Sequence, residues 1–134
     1  MADQLRWGIM GTGNICRQFA GGLAGSRLGR LVAAASRTAE AAQTFASQFP
    51  LDRAYDTYQK LVDDPQVDAI YIGTPNALHH EWAIKALQAG KHVLCEKPLG
   101  INLQQGKEMF DAAAKADRLL VEAFMYRTHP LTAK

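Results

Sequence analysis

Two short stretches carry residue types that bind a phosphorylated ligand. The first is Gly11-Thr12-Gly13, entered from Leu5-Arg6-Trp7-Gly8-Ile9-Met10 and left through Asn14-Ile15-Cys16. An apolar run, a glycine pair and helix-compatible residues give the order strand, tight turn, helix. Such a turn leaves backbone N–H groups at a helix N-terminus, where an anionic pyrophosphate can sit. Gly11 allows the sharp turn, and Gly13 lets a phosphate reach the backbone because no Cβ intervenes. Asn14 and Ile15 open the helix and complete this expected cofactor-binding group. The third small position of the G-x-G-x-x-G/A pattern falls on Cys16, which is small enough for close helix–strand packing but is not the usual residue. Alone, the pattern is weak and also fits an ordinary glycine-rich turn.

The second stretch is Ser36-Arg37-Thr38, after the second apolar run. An NAD site usually has Asp or Glu here, roughly 20 residues on, to hold the ribose 2′-OH. No acid stands at this point, and Glu40 already belongs to the next helix. Arg37 can pair with a 2′-phosphate through its guanidinium fork, and Ser36 or Thr38 can donate to it. The expected cofactor is therefore NADP(H) rather than NAD(H).

The elements that must position these residues follow from apolar patterning. Leu5–Met10 predicts a buried strand, and Asn14 to about Leu28 a helix with Ile15, Phe19, Ala20 and Leu23 at helical spacing. Leu31–Ala35 predicts a strand buried on both faces, and Ala39–Phe49 a helix stopped by Pro50. Ala54-Tyr55 predicts a brief third strand and Tyr58–Val62 a short helix. Val67–Ile72 predicts the fourth strand, Gly73–Asn76 a loop, and Ala77–Ala89 an amphipathic helix closed by Gly90. His92–Cys95, Leu103–Ala116 and Leu119–Ala123 predict strand, helix and strand.

This alternation predicts an α/β fold with a doubly wound parallel sheet, the Rossmann arrangement. Ligands bind such sheets beyond the carboxyl ends of the strands. Gly11–Asn14, Ser36–Thr38, Gly73–Asn76 and Glu96–Pro98 all fall there.

The stretch Gly90-Lys91-His92-Val93-Leu94-Cys95-Glu96-Lys97-Pro98 adds the most specific motif. Upstream stand Gly11-Thr12-Gly13, then Thr74-Pro75-Asn76 with His79 and His80. On these residues the chain resembles the glucose–fructose oxidoreductase / inositol dehydrogenase / rhizopine catabolism (Gfo/Idh/MocA) family. The resemblance runs over essentially the whole chain and matches the N-terminal half of such enzymes.

The resemblance implies a nicotinamide-dependent dehydrogenase or reductase acting on sugars, polyols and diols. It implies that Lys97 lies by the nicotinamide, donating a proton to a carbonyl oxygen or accepting one from an alcohol. Hydride transfer to a ketone develops alkoxide charge, which an ammonium stabilises and protonates. Glu96, the other implied catalytic residue, would orient Lys97 or the nicotinamide ribose, and the Lys97–Pro98 bond would be cis. Thr74, Pro75 and Asn76 would line the ribose and nicotinamide side. One of His79 and His80 would face ribose or substrate, and His79 is counted with the cofactor-binding group. His92 is expected at a strand edge. Glu122–Pro130 resembles the family's crossing into its second domain, where Tyr126 and Arg127 would touch substrate or nicotinamide, or pack against that domain.

Composition excludes other classes. The 134 residues suit one domain with a real core, and a net charge of +2 offers no bulk attraction to nucleic acid or an anionic membrane. Cys16 and Cys95 stand far apart without a Cys-x-x-Cys pattern, which fits a reducing, cytoplasmic setting. No signal peptide or membrane span is visible, and no Cys or carboxylate cluster joins His79 and His80 to make a metal site.

Residues 1–123 are expected to form the dinucleotide-binding domain, and 124–134 the start of a crossover to a C-terminal substrate domain absent from this chain. Such a piece would bind cofactor with little turnover, and the full-length protein is expected to be a homo-oligomer. Two other readings stay open. One is a non-catalytic NADP(H)-binding sensor or docking module. The other is a fold in which Cys16 perturbs the turn and no cofactor binds.

Overall fold

The computed structural model describes residues 3–123, so the expectations for 124–134, Tyr126 and Arg127 among them, lie outside the described residues. The elements in order are β1 (Leu5–Met10), α1 (Asn14–Ala24), β2 (Gly29–Ala35), α2 (Ala39–Gln48), β3 (Arg53–Tyr55), α3 (Tyr58–Val62), β4 (Ala69–Ile72), a 3-10 turn (Asn76–Leu78), α4 (His79–Gln88), β5 (His92–Glu96), α5 (Leu103–Ala116) and β6 (Leu120–Ala123). Six strands make one sheet in the order β3-β2-β1-β4-β5-β6. Every pairing is parallel. This is the Rossmann strand order, which reverses between β1 and β4.

Both faces of the central strands are covered, and β4 is buried throughout, whereas β5 alternates buried and half-buried residues and Val121 of β6 is exposed. The period of two survives in the packing. Ile9, Ala34 and Tyr71 join Cys16, Ala20 and Phe45 in one buried cluster, under α1 and α2. Met10, Ala33, Ala35, Ile70, Ile72, Val93 and Cys95 join Leu61, Leu87 and Met109 in the other, under α3, α4 and α5.

The helix starts are set by short polar side chains that compete for backbone N–H groups. Thr38 accepts from Ala41 N, Thr57 from Lys60 N and Asn102 from Gln105 N. Gly90, at φ +85°, follows α4 in the left-handed region, as expected of a C′ glycine.

Several boundaries differ from those expected: β2 starts at Gly29 rather than Leu31, and most others shift by a single residue. The first helix ends at Ala24, not near Leu28. There the Ser26 hydroxyl accepts from Leu28 N and Gly29 N and turns the chain early into β2. The helix expected from Ala77 begins as the 3-10 turn and becomes α-helical only at His79. β4 starts at Ala69 rather than Val67.

Just before β4, Asp68 is held by Arg6, whose Nη2 and Nε donate to its carboxylate at 2.7 and 3.0 Å. Arg6's hydrogen bond keeps the Asp68 carboxyl below the usual aspartate range. Beside it, buried Lys91 donates from Nζ to the carbonyls of Asp64 and Val67 at 2.6 and 2.7 Å. This polar girdle ties the amino ends of β1, β4 and β5 together, opposite the candidate site.

Candidate cofactor site

Strand register brings the expected loops side by side. Met10 pairs with Ala35 on one side and Ile72 on the other, and Ile72 pairs with Cys95. The ladder runs on into the loops: Gly11 N donates to Ala35 O, and Gly73 N to Met10 O, each at 2.9 Å. Gly11, Ser36, Gly73 and Glu96 therefore stand in one row along the crest of the sheet.

Gly11 has φ +108°, a conformation that L side chains rarely adopt. A Cβ there would come within 2.9 Å of the Gly73 carbonyl oxygen. Gly13 N-caps α1 without any side-chain hydrogen bond, and a Cβ on it would meet nothing within 4 Å. The turn into α1 thus opens on the cavity at Gly13 with no side chain capping the helix, as a phosphate cradle requires.

Cys16 fits beneath this turn without disturbing it. Its Sγ lies 3.9 Å from Met10 O and 3.6 Å from Gly73 O, and a Cβ on Gly73 would collide with it. Burial pushes the thiol up to about 12, so it packs as a neutral group.

A cavity of about 480 Å³ opens on the crest. It is lined by Gly11, Thr12, Gly13, Ser36, Arg37, Thr38, Thr74 and Pro75 of the expected residues, and also by Ala41, Tyr58 and Gly73. Its volume lies within the usual range for ligand clefts. The hydroxyls of Thr12 and Ser36 lie 3.2 Å apart across the gap between β1 and β2. Arg37 is exposed and makes no ion pair among the described residues. Tyr58 is 7% exposed and packs edge-on against Trp82, with centroids 5.4 Å apart.

Asn14, Ile15, Asn76, Glu96, Lys97 and His79 do not line that cavity. Asn14 Oδ1 accepts from Arg17 Nη1 at 3.4 Å, and Ile15 packs with the α1-side cluster. Asn76 is exposed at the start of the 3-10 turn. Lys97 is exposed, makes no ion pair among the described residues, and precedes a cis bond to Pro98.

Glu96 is not paired with Lys97. Its carboxylate accepts from the Tyr71 hydroxyl at 2.6 Å, and the Tyr71 ring stacks on Phe19 with centroids 4.1 Å apart. Burial first, and Glu96 second, hold the Tyr71 proton on well above the usual tyrosine range.

His79, counted with the cofactor-binding group, is wholly buried. Its ring nitrogens face the carbonyls of Pro98, at 2.8 Å, and Thr74, at 3.0 Å, so it stands beneath the loop. His80 pairs with Glu108 across α4 and α5 at 3.0 Å. His92 Nδ1 accepts from Leu119 N at the sheet's far end.

Tyr58 and Tyr71 escaped the sequence reading. A usable signal existed for Tyr71, because a hydroxyl inside an otherwise apolar strand must find a partner. Tyr58 carries a weaker one, an aromatic opening a helix just past a strand's carboxyl end. Among the described residues, no group of three or more His, Cys, Asp or Glu side chains could hold a metal ion. No described helix is long and apolar enough to cross a membrane.

A parallel sheet reversing between β1 and β4, with an open glycine turn at the reversal, defines a dinucleotide-binding α/β domain. The family described as "Oxidoreductase family, NAD-binding Rossmann fold" matches residues 5–124, and the chain belongs to this Gfo/Idh/MocA family. It is 40% identical over 130 residues to a trans-1,2-dihydrobenzene-1,2-diol dehydrogenase of Xenopus laevis, covering 94% of this chain and 39% of the relative. It is 39% identical over 115 residues to a 1,5-anhydro-D-fructose reductase of Ensifer adhaerens, covering 86% of this chain and 34% of the relative. A 3-ketoreductase of Actinomadura kijaniata solved with NADP superimposes with a TM-score of 0.93 at 36% identity, over 98% of this chain and 42% of that one. The chain thus spans well under half the length of these relatives.

Proposed function

We propose that this chain is the NADP(H)-binding half of an oxidoreductase that interconverts an alcohol and a carbonyl on a sugar, polyol or diol. The reading is carried by one arrangement. An open glycine turn and Arg37 share the sheet crest with an exposed Lys97 after β5, and neither Arg37 nor Lys97 is paired among the described residues. The relatives' names, a diol dehydrogenase and a sugar reductase among them, support the substrate class.

In this reading the first-turn N–H groups of α1, with Gly11 and Gly13, hold the pyrophosphate. Arg37, Ser36 and Thr38 hold the 2′-phosphate, and Tyr58 and Pro75 wall the adenosine end. Thr74, Asn76 and Glu96 border the ribose and nicotinamide. The bound nicotinamide supplies or takes the hydride at the substrate carbon. Lys97 does the proton work: its ammonium protonates the carbonyl oxygen as the carbon is reduced, and its neutral amine takes the alcohol proton in the reverse direction. Substrate contacts come from the part of the enzyme beyond this domain. A reducing, cytoplasmic setting belongs to the same proposal, since Cys16 and Cys95 are both free and buried.

Calorimetric titration of the chain with NADPH and NADH is the first test. NADPH binding, and loss of turnover in the full-length enzyme on Lys97→Ala with NADPH affinity kept, is the expected outcome. No binding of either cofactor would overturn the reading.

A further inference from the structure

His79 is the first residue of α4 and the only wholly buried histidine among the described residues. Its ring bridges two backbone segments that nothing else in the described hydrogen bonds joins. Nδ1 lies 2.8 Å from Pro98 O, and Nε2 lies 3.0 Å from Thr74 O. Thr74 belongs to the loop after β4, itself 7% exposed and lining the cavity. Pro98 follows Lys97 directly.

The Lys97–Pro98 turn has two other anchors. Leu99 N donates to Glu122 at 2.7 Å, and Glu96 accepts from Tyr71 at 2.6 Å. The first ties the turn to β6 and the second to the middle of β4. Neither reaches the loop that borders the cavity. Among the described residues the Lys97 amine makes no ion pair, so there its backbone does most to set its place.

We infer that His79 is a positioning residue, a buried clasp that fixes the Lys97–Pro98 turn against the Thr74–Asn76 loop and so holds Lys97 at a set distance from bound cofactor. Carbonyl oxygens only accept, so a ring carrying one N–H bonds one of the two segments and holds the other by packing, and it bonds both only when each nitrogen carries a proton. A buried, packed ring loses little further freedom, and misplacing a reacting group by 1 Å can cost roughly 100-fold in rate. This inference rests on the reading that cofactor and Lys97 meet at this crevice.

The test uses the 134-residue chain, NADPH, and acetylation of amines by a neutral N-hydroxysuccinimide ester, followed at Lys97 by mass spectrometry. In the native chain NADPH slows Lys97 acetylation about tenfold, within the usual span of coupling between two sites. In His79→Gln and His79→Ala, NADPH affinity stays within roughly threefold while the protection of Lys97 falls to about twofold or less. Full protection in a folded His79 variant would overturn the inference. So would equal losses of affinity and protection, which would mean that His79 supports the cofactor loop alone.

Absence of binding, or of protection in the native chain, would instead count against the proposed function. A measurement on the native chain stands beside the variants, should these fail to fold. On NADPH addition, the His79 ring resonances and the Leu99 amide should shift together. A Thr74 amide that shifts while the ring stays still would refute the clasp.

Discussion

Replacing Arg37 separates the two nicotinamide cofactors most cleanly. The side chain is exposed, lines the cavity and has no ion-pair partner among the described residues, so nothing internal is broken by its removal. A hydrogen bond to a charged group contributes about 1.5–3 kcal/mol. Exposure puts Arg37 near the lower end of that range, because solvent and salt screen the pair. Loss of about 1.5 kcal/mol corresponds to roughly tenfold in affinity. Some 2′-phosphate binding should remain, since the Ser36 hydroxyl is still present and the Thr38 hydroxyl, though capping Ala41 N, can still donate. Arg37→Ala should therefore weaken NADPH about tenfold and change NADH less than about threefold. Arg37→Asp should invert the preference, because a carboxylate repels the 2′-phosphate and can accept from a 2′-hydroxyl. Titration calorimetry at low and at about 0.5 M salt measures both effects, and the native preference for NADPH should shrink as salt rises. An equal loss for the two cofactors, or none for either, would refute the reasoning.

Three further outcomes follow from the geometry. Gly11→Ala should lower the melting temperature, since its φ of +108° and the nearby Gly73 carbonyl leave no room for a methyl, whereas Gly13→Val should fold and yet lose NADPH binding. A Gly13 variant that binds normally would contradict the phosphate cradle. Tyr71→Phe keeps the stack on Phe19 but strips Glu96 of its 2.6 Å donor, which should cost about 1–3 kcal/mol in urea unfolding. Because Arg6 depresses the Asp68 carboxyl, that contact stabilises the fold fully above the ordinary aspartate value of about 3.9 and is lost as pH falls through the lower folded value. Asp68→Asn should therefore destabilise the chain at pH 7 and flatten the acid limb of its stability curve, and an unchanged limb would exclude Asp68 as its source.

Much of this architecture could be read from residue order, for physical reasons. Leu5–Met10, Tyr58–Val62 and Leu103–Ala116 are bounded by strong local signals, and the observed elements coincide with the expected ones. The four polar loops were legible as a set because a parallel sheet puts every strand's carboxyl end on one edge. Boundaries ruled by single side chains were not, as the Ser26 turn after α1 shows. Cys16 read as a defect in the glycine pattern, yet its sulfur fills the space between Gly11 and Gly73. His79 was legible as a polar residue near the site but not as a buried one. Its burial depends on Pro98, 19 residues away along the chain, and no local pattern encodes that contact.

The two thiols sit on opposite faces of the sheet, Cys16 with the α1-side cluster and Cys95 with the α4- and α5-side cluster. Burial pushes both up to about 12, so neither reacts with an alkylating reagent until its own layer parts. Each thiol can thus serve as an internal clock for the opening of its own flank. A dinucleotide seated over Gly11–Gly13 would slow the clock beneath it more than the one on the far side.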